Sequence, residues 1–268
     1  MLKSTVCRYE HFLSPWYRKW AEVMGLWPGL NPEGPVGNRK IWEWCAISQA
    51  LDERGMLQSG KTALGFAVGT EPLPSVFAYN RVAVLATDLM ADKVDQGWIA
   101  TGQHSTSVNE LHNPKIVERE RFERLVSFAS ADMNNIQSIT GQYDFLWSSC
   151  AFEHLGSIEL GLNFVCNAMG LLKPGGVAVH TTEYNVSSDD ETITEGNSVI
   201  FRKKDIDLLD RRLRKIRCGL EAVDWDCGTH EFDLNYDIAP FFSTGRPHIK
   251  LELDGHVSTS FLVIVQKG

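Results

Sequence analysis

Hydrophobic positions in the central half of the chain form five short runs, separated by longer polar or helix-patterned stretches. The runs are KTALGFAV, RVAVLATD, RLVSFASAD, YDFLWSSC and GVAVHTTEY. Runs of this length are typical of buried strands, and the intervals between them can hold crossover helices. This alternation predicts an α/β fold with a mostly parallel, twisted sheet and helices on both of its faces.

Helical periodicity predicts one helix before these runs and another after them. The stretch RKIWEWCAISQALDERGML, which starts at Arg39, has apolar residues at near-helical spacing and ends beside Gly55. The stretch KKDIDLLDRRLRKIR carries an apolar stripe between charged faces, which we expect to be solvated. Near the end of the chain, Asp254-Gly255 lies between two β-rich runs and predicts a hairpin with an antiparallel C-terminal strand.

The remaining segments suggest how the chain is organised. Residues 1–38 contain several aromatic residues and the turn-rich WPGLNPEGPVGN, which we interpret as an N-terminal helical cap. Residues 39–268 then form the main domain. Two polar stretches within it, about 93–121 and 226–248, exceed what plain connections require, and we expect them to shape a substrate site.

Composition and charge narrow the classes of function. The chain has 268 residues, is 43% hydrophobic and carries a formal net charge of −8, which argues against nucleic acid as a partner. It contains neither a recognisable signal peptide nor the roughly 20 consecutive apolar residues that span a bilayer, so we expect a cytoplasmic protein without membrane insertion. The six cysteines form no C-x-x-C pair, and we predict neither a disulfide framework nor a metal site.

The ends of the first two predicted strands carry residues suited to a nucleotide ligand. The first run continues into Gly65-Phe-Ala-Val-Gly69-Thr-Glu71, where glycine allows a tight turn and close approach of a ligand to the backbone. The second run ends at Asp88, 19 residues after Gly69, near the spacing of an acidic residue that binds ribose hydroxyls. The alternatives are a turn without a ligand and, for Asp88, an N-cap of the next helix.

The third run ends in Asp132 and Met133, a carboxylate and an apolar thioether that suit the amino group and the ring of adenine. Their alternatives are a helix cap for Asp132 and core packing for Met133. If the strands are parallel and adjacent, all three strand tips line one crevice.

Residues from about 60 to 185 resemble the class I S-adenosylmethionine-dependent methyltransferases. The resemblance rests on the glycine-containing loop, on Asp88, on the Asp132-Met133 pair, and on the phrases LLKPGGV and YDF around the last two strands. It implies a Rossmann-like fold, S-adenosyl-L-methionine as cofactor and S-adenosyl-L-homocysteine as product. The cofactor-binding residues that it implies are Gly65, Ala67, Gly69, Glu71, Asp88, Leu89, Asp132, Met133 and Ser148.

The loop departs from the usual pattern of this family, an acidic residue followed by three alternating glycines. Gly65, Ala67, Gly69 and Glu71 occupy those four places, so only one glycine is in register. Glu71 then offers a carboxylate to the methionine amino group of the cofactor. The phrases GFAVGTEPLP and KPGGVAVHTTEYN are similar to a bacterial subgroup associated with glycan and capsule biosynthesis, which implies O-methylation of a small, sugar-derived hydroxyl.

Candidates for proton transfer follow the fourth and fifth strands. His154 is the first candidate for a general base and His180 is the second, while Glu153 would orient an imidazole or a substrate hydroxyl. Each histidine has the alternative of a hydrogen-bonded structural role. Glu183 and Tyr184 are expected to hold substrate.

Several other residues and functions remain open at this stage. We expect Trp42 and Trp44 to serve packing rather than a lid, and Asp189 and Asp190 to be solvated turn residues. Two further functions compete with methyl transfer: a non-catalytic partner or regulatory subunit that keeps the fold, and an NAD(P)-dependent oxidoreductase. Residues expected to line an acceptor site are Tyr236, Asp237 and His248.

Overall fold

A computed structural model describes residues 1–27, 37–89, 104–243 and 245–268. Its strands are β1 (Ser4–Val6), β2 (Thr62–Phe66), β3 (Ala83–Asp88), β4 (Val126–Ser130), β5 (Tyr143–Ser149), β6 (Leu172–Asn185), β7 (Cys218–Leu220), β8 (Val223–Asp224), β9 (Lys250–Leu253) and β10 (His256–Lys267). Its α-helices are α1 (Tyr9–Phe12), α2 (Pro15–Val23), α3 (Arg39–Asp52), α4 (Leu73–Tyr79), α5 (Arg119–Leu125), α6 (Ile158–Ala168), α7 (Lys203–Lys215) and α8 (Glu231–Leu234). Short 3₁₀ helices span Val108–Leu111, Ile136–Ser138, Phe152–His154 and Met169–Leu171.

The strands form one mixed sheet in the order β4-β3-β2-β5-β6-β10-β1-β8. Strands β2 to β6 pair in parallel, whereas β10 pairs antiparallel with β6. The predicted fold class and the antiparallel C-terminal strand are therefore confirmed. The predicted hairpin is also present, because β9 pairs with β10 across Asp254 and Gly255, which both have positive φ.

Side chains alternate between two cores, one on each face of the sheet. Phe145, Trp147 and Val179 join the core beneath α2, α3 and α4, whereas Leu146 and Ala178 join the core beneath α6 and α7. This alternation follows from the two-residue period of a strand. Helices consequently cover both faces, as the sequence pattern predicts.

Two segments differ from the sequence prediction. Strand β6 begins at Leu172, so it includes the KPGG phrase, and it continues to Asn185, beyond the predicted run. At the N-terminus, β1 pairs with β10 and β8 in the same sheet. The first residues of the predicted helical cap therefore also contribute a strand, and α2 packs against α3.

Candidate functional site

The loop after β2 turns on two residues with left-handed backbone. Ala67 has φ 47° and Gly69 has φ 50°. The amide of Gly69 donates a hydrogen bond to Asp88 Oδ2 at 3.0 Å, and the amide of Val68 donates to the carbonyl of Thr87 at 3.1 Å. The loop is thus tied to the end of β3, and Ala67 holds a conformation that glycine adopts more easily.

Asp88 is nearly buried, and backbone amides surround its carboxylate. Besides Gly69, the amide of Leu89 donates to Oδ1 at 2.8 Å and the amide of Ser105 donates to Oδ2 at 3.3 Å. Burial raises the pKa of Asp88, and these amide bonds oppose the shift. The alternative that Asp88 caps the next helix concerns residues 90–103, which lie outside the described part of the chain.

Asp132 and Met133 follow β4, where the amide of Ala131 donates to the carbonyl of Asp88 at 2.8 Å. The Asp132 carboxylate accepts from the amide of Asn134 at 2.9 Å, which is an Asx turn. Asp132 remains half-buried, while Met133 packs with the core beneath α6. The three strand ends therefore meet at one edge, which we call the β2–β4 edge (residues 67–71, 88–89 and 131–133).

Gly65 has a packing role that the sequence did not indicate. A Cβ atom at this position would lie 2.2 Å from Cζ2 of Trp147, inside van der Waals contact. The missing side chain makes room for the indole, because Gly65 pairs directly with Trp147 across β2 and β5. This explanation differs from the expected one, in which the missing side chain lets a ligand approach.

Glu71 belongs to the loop after β2, and its side chain is buried, with 7% of its surface exposed. Trp147 donates from Nε1 to Glu71 Oε1 at 2.5 Å. Burial raises the pKa of Glu71 to about 8, although the Trp147 hydrogen bond and the charge of Lys40 oppose it. Sequence reasoning did not identify Trp147 as the residue that orients this carboxylate.

A second polar region lies beside the first, where α3 crosses β5, β6 and β10. We call it the polar cluster. Its members are polar side chains, buried except for the half-buried Lys40 and Ser149, at the carboxyl ends of β5 and β6 or on the facing strand and helix. They are Arg39, Lys40 and Glu43 from α3, Ser149 at the end of β5, Cys150 and Glu153 after it, Thr181, Thr182 and Glu183 from β6, and Ser258 and Ser260 from β10.

Glu43 is the centre of the polar cluster and is fully buried. It accepts hydrogen bonds from Lys40 Nζ at 3.0 Å, Ser149 Oγ at 2.9 Å and Cys150 Sγ at 3.1 Å. Thr181 and Ser260 also donate to it. Burial alone would raise the pKa of Glu43, but Lys40, Arg39 and these donors lower it, so this carboxylate is ionised.

Arg39 and Glu183 form an ion pair whose side chains are 11% and 7% exposed. Ser258 donates to the other oxygen of Glu183, and Arg39 donates to Ser260 Oγ at 3.3 Å. The prediction that Glu183 faces a site is consistent with this position. Tyr184 instead points to the opposite face, where its ring packs near Trp225 and Phe261.

Glu153 and His154 lie in the 3₁₀ helix after β5. Glu153 is fully buried, and Thr182 donates to its Oε2 at 3.1 Å. Its Oε1 has no hydrogen-bond partner among the described residues, and burial raises its pKa. His154 Nδ1 lies 2.8 Å from the carbonyl of Asn197, and Nε2 lies 3.9 Å from Glu153 Oε1.

The structure contradicts the expectation that His180 and Ser148 lie at the site. Because β6 continues to Asn185, His180 is in the middle of the strand and fully buried beneath Phe152 and Phe164. Its Nδ1 is 2.8 Å from Ser148 Oγ, and burial lowers its pKa to about 3. His180 therefore has the structural role that was its alternative, and the Ser148 side chain is buried against it instead of facing the β2–β4 edge.

The remaining predicted residues divide between packing, surface and site. Trp42 is buried and donates to His11, as expected for packing, and Trp44 is half-buried. Asp189 and Asp190 contact Lys204 at the surface. Tyr236 is exposed.

Asp237 is fully buried and pairs with the half-buried His248, whose Nδ1 lies 2.9 Å from Asp237 Oδ2. Burial lowers the pKa of His248, and the charges of Arg39 and Glu183 also act on it. This pair therefore borders the polar cluster, as the expectation for the 226–248 stretch requires.

Sequence reasoning missed Arg39, Glu43 and Cys150 as site residues. One signal was available in the sequence for two of them. Arg39 and Glu43 are four residues apart and therefore lie on one face of α3, which is otherwise mostly apolar and buried. Two charged residues on a buried helix face indicate a functional or paired position. No comparable signal marks Cys150 or the serines of β10, since they acquire their partners only through the sheet.

Comparison with known proteins gives a result at the level of the fold. No family model and no curated protein matches the chain. Among solved structures, a candidate sarcosine dimethylglycine methyltransferase from Galdieria sulphuraria is 14% identical, with 95% of this chain and 99% of that chain covered and a TM-score of 0.51. Magnesium protoporphyrin IX methyltransferase from Synechocystis PCC 6803, solved with bound S-adenosylhomocysteine, is 10% identical, with 94% and 98% covered and a TM-score of 0.50.

Within the described residues, no helix has both the length and the apolar character needed to cross a membrane. Structures similar to this one are class I S-adenosylmethionine-dependent methyltransferases. The chain therefore has the Rossmann-like fold of those methyltransferases.

Proposed function

We propose that this protein is an S-adenosylmethionine-dependent methyltransferase that methylates a hydroxyl of a small, sugar-derived acceptor. The observation that carries the proposal is the bond between Asp88 and the amide of Gly69, which joins the ends of β2 and β3 into one preformed edge. The Synechocystis enzyme, which shares the fold, contains S-adenosylhomocysteine, and this supports the choice of cofactor.

The polar groups of the β2–β4 edge fit this cofactor. S-adenosylmethionine presents three groups of hydrogen-bond donors: an ammonium, a ribose diol and an adenine amino group. The edge offers one carboxylate after each strand, namely Glu71, Asp88 and Asp132. Each carboxylate accepts hydrogen bonds when it is ionised, so the chemistry of the set matches the ligand. Burial raises the pKa of Glu71 to about 8, and the ammonium of the cofactor would lower that pKa again, so that Glu71 loses its proton when the cofactor binds.

Each residue of the edge would hold one part of the cofactor. Asp88 would accept from the ribose, Asp132 from the adenine amino group beside Met133, and Glu71 from the ammonium. Trp147 holds Glu71 in place by its indole hydrogen bond. When bound, the cofactor supplies an electrophilic methyl group on a sulfonium centre.

The polar cluster is suited to the acceptor because it follows β5 and β6 at the same end of the sheet. Its carboxylates and hydroxyls can position a polyol, and the Arg39–Glu183 pair adds a fixed donor and acceptor. The resemblance of the loop and KPGG phrases to a glycan-associated subgroup supports a sugar-derived acceptor. Alignment of the acceptor hydroxyl is the main contribution that these side chains make to the rate.

His154 is the group that we assign to receive the hydroxyl proton. A carbonyl oxygen can only accept, so Nδ1 carries the hydrogen toward Asn197 and Nε2 carries the lone pair in the neutral tautomer. Nε2 lies on the side of Glu153, within the region that follows β5. A base in this position is worth about 10²- to 10⁴-fold in rate.

Calorimetry tests the cofactor assignment. We expect S-adenosylhomocysteine to bind one site per chain, and NADH not to bind or compete. Binding of NADH with no binding of S-adenosylhomocysteine by folded protein would instead favour the oxidoreductase alternative.

Turnover tests the acceptor and the base. Transfer of labelled methyl to hydroxyls of a sugar panel, located by NMR of the product, is expected. Absence of any transfer by cofactor-binding protein would favour the non-catalytic subunit.

His154→Gln tests the base, and this change should lower kcat by about 10²-fold or more with little change in KM. The control is His256→Gln, because His256 is the first residue of β10 and its Nδ1 lies 3.4 Å from the side-chain amide of Asn185. Equal kcat values for the two variants would refute the assignment of His154.

A further inference from the structure

Three buried residues of the polar cluster bring metal-ligating atoms together. Cys150 Sγ and one carboxylate oxygen each of Glu153 and Glu183 lie within 4.8 Å of one another. The three side chains come from separate places in the chain: the end of β5, the 3₁₀ helix after it, and β6. We propose that they bind a divalent transition-metal ion, for which Zn²⁺ has the best-matched ligand preference.

An independent observation points to a ligand at this place. Glu153 Oε1 is buried, and no described residue donates a hydrogen bond to it. A buried carboxylate oxygen without a donor costs about 1–3 kcal/mol or more, so such atoms are rare unless a ligand completes them. A cation held between the three side chains would lie beside the Glu153 carboxylate, whose Oε1 lacks a donor among the described residues.

The charges of the polar cluster also favour a dication. Arg39 pairs with Glu183 and Lys40 pairs with Glu43, whereas no lysine or arginine among the described residues forms an ion pair with Glu153. Metal binding would add a second negative charge, because a ligating cysteine is a thiolate and its proton leaves to solvent. A divalent ion then neutralises these two negative charges, which a buried site requires.

The ligand types select the metal. One thiolate sulfur together with two carboxylate oxygens suits Zn²⁺, which accepts sulfur, nitrogen and oxygen ligands, whereas Mg²⁺ and Ca²⁺ prefer oxygen alone. Glu183 already uses its oxygens toward Arg39 and Ser258, and these contacts would orient it as partners of a ligating carboxylate commonly do.

The backbone around Cys150 supports a dedicated position for its thiol. Cys150 has φ 44°, a conformation that costs a non-glycine residue about 1–3 kcal/mol. Its amide is held by the carbonyl of Thr181 at 3.1 Å and by Thr181 Oγ1 at 3.0 Å. The turn directs the thiol toward Glu43, 3.1 Å away, at the centre of the polar cluster.

Three protein ligands leave one position of a tetrahedral ion open. Given the proposed function, the acceptor hydroxyl would take that position, and the ion would polarise it as a Lewis acid while His154 receives the proton. Only this role in the reaction rests on the proposed function. Binding of the ion depends solely on the three ligands and can be measured without cofactor or acceptor.

Cobalt substitution tests the site on the full chain after treatment with a chelator. We expect one Co²⁺ per chain, a near-ultraviolet thiolate-to-cobalt charge-transfer band, and displacement of Co²⁺ by Zn²⁺. Cys150→Ser should abolish the band, while the control Cys166→Ser, at a free and half-buried cysteine of α6, should retain it. A band that survives Cys150→Ser, or the lack of any band in the natural sequence, would overturn the proposal.

A second variant guards against misfolding of Cys150→Ser. Glu153→Gln preserves shape and should weaken Co²⁺ binding by at least about 10-fold, with a thermal unfolding midpoint in metal-free protein no lower than that of the natural sequence. Unchanged affinity in this variant would contradict the site. Calorimetry with S-adenosylhomocysteine on the metal-free protein separates the two proposals, because cofactor binding is expected whether or not the ion binds.

Discussion

The β2–β4 edge and the polar cluster lie at the same end of the sheet, but they hold their carboxylates in different ways. At the edge, Asp88 is surrounded by backbone amides, and its bond to Gly69 spans 19 residues. In the polar cluster, Glu43 is surrounded by side chains, and its bonds to Cys150 and Ser260 span 107 and 217 residues.

The β2–β4 edge is therefore built mainly from backbone groups of nearby loops, whereas the polar cluster is built from side chains of distant segments. Backbone donors are present in any sequence that forms the loop, so the edge tolerates an unusual loop pattern as long as Asp88 and Gly69 remain. Side-chain donors must be supplied residue by residue from distant strands and a helix. The polar cluster is therefore the part where substitutions should have the largest energetic consequences.

The largest expected effect is on stability, from Glu43→Gln. This change removes the buried charge that pairs with Lys40 and accepts hydrogen bonds from the hydroxyls around it. Losing one partner of a buried pair costs about 3–5 kcal/mol, and we expect the low end, about 3 kcal/mol, because the Lys40 side chain is 39% exposed and solvent screens its charge. Urea unfolding measures the loss. The matched control is Glu22→Gln, because Glu22 pairs with Arg18 at the surface, where about 0.5 kcal/mol or less is expected. Similar losses in the two variants would contradict the contrast.

Glu71 should make stability depend on pH. Its pKa is about 8 in the folded protein, against its usual value of 4.5, so the folded state retains a proton that the unfolded state releases between these two pH values. Its stabilisation is complete below pH 4.5 and is lost as pH rises through 8.

Glu71→Gln removes this dependence and keeps an acceptor for Trp147. Relative to the natural sequence, the variant should gain on the order of 3 kcal/mol between low pH and pH 9. Unfolding free energies across that range give the measurement, and parallel pH curves for the two proteins would rule out the effect. Other charges that act on Glu71 are Lys40, Glu43 and Asp88, which the variant retains.

Asp88→Asn should weaken binding of S-adenosylhomocysteine by about 10- to 100-fold, because an amide replaces a buried charged acceptor. Calorimetry measures the affinity. The control is Asp144→Asn at the opposite end of the strands, where Asp144 accepts from the amide of Thr62 at 2.9 Å. That variant should lose stability with unchanged affinity, and an equal loss of affinity in both would show that the edge has no special role.

The smallest effect tests the strained loop. Ala67→Gly relieves a left-handed alanine and should raise stability by up to about 1 kcal/mol. Ala83→Gly, at an exposed position of β3, should instead lower it by about 0.5–1 kcal/mol, because strand backbone gains nothing from glycine. Thermal unfolding distinguishes them, and destabilisation by both would mean that Ala67 is not strained.

The hydrophobic pattern was sufficient to predict the five parallel strands, α3, α7 and the final hairpin. Each of these elements can be predicted from local hydrophobic periodicity or, for the hairpin, from a two-residue turn sequence. The pattern also placed Asp88 at a strand end beside the loop of Gly69, because parallel neighbouring strands end at the same edge. Strand β1 was missed, since three residues are too few to show a period.

Side-chain roles at the sheet centre depended on the tertiary structure. His180 is buried, and not at a strand tip, because β6 continues to Asn185. Gly65 makes room for the indole of Trp147 on the neighbouring strand, a role that depends on the pairing of β2 with β5. Glu43 finds its partners 107 and 217 residues away, and Glu183 of β6 meets Cys150 and Glu153 only because β5 and β6 are neighbours in the sheet. Local sequence determines which elements form, whereas contacts between distant elements determine which polar groups are buried together and thereby what chemistry they can perform.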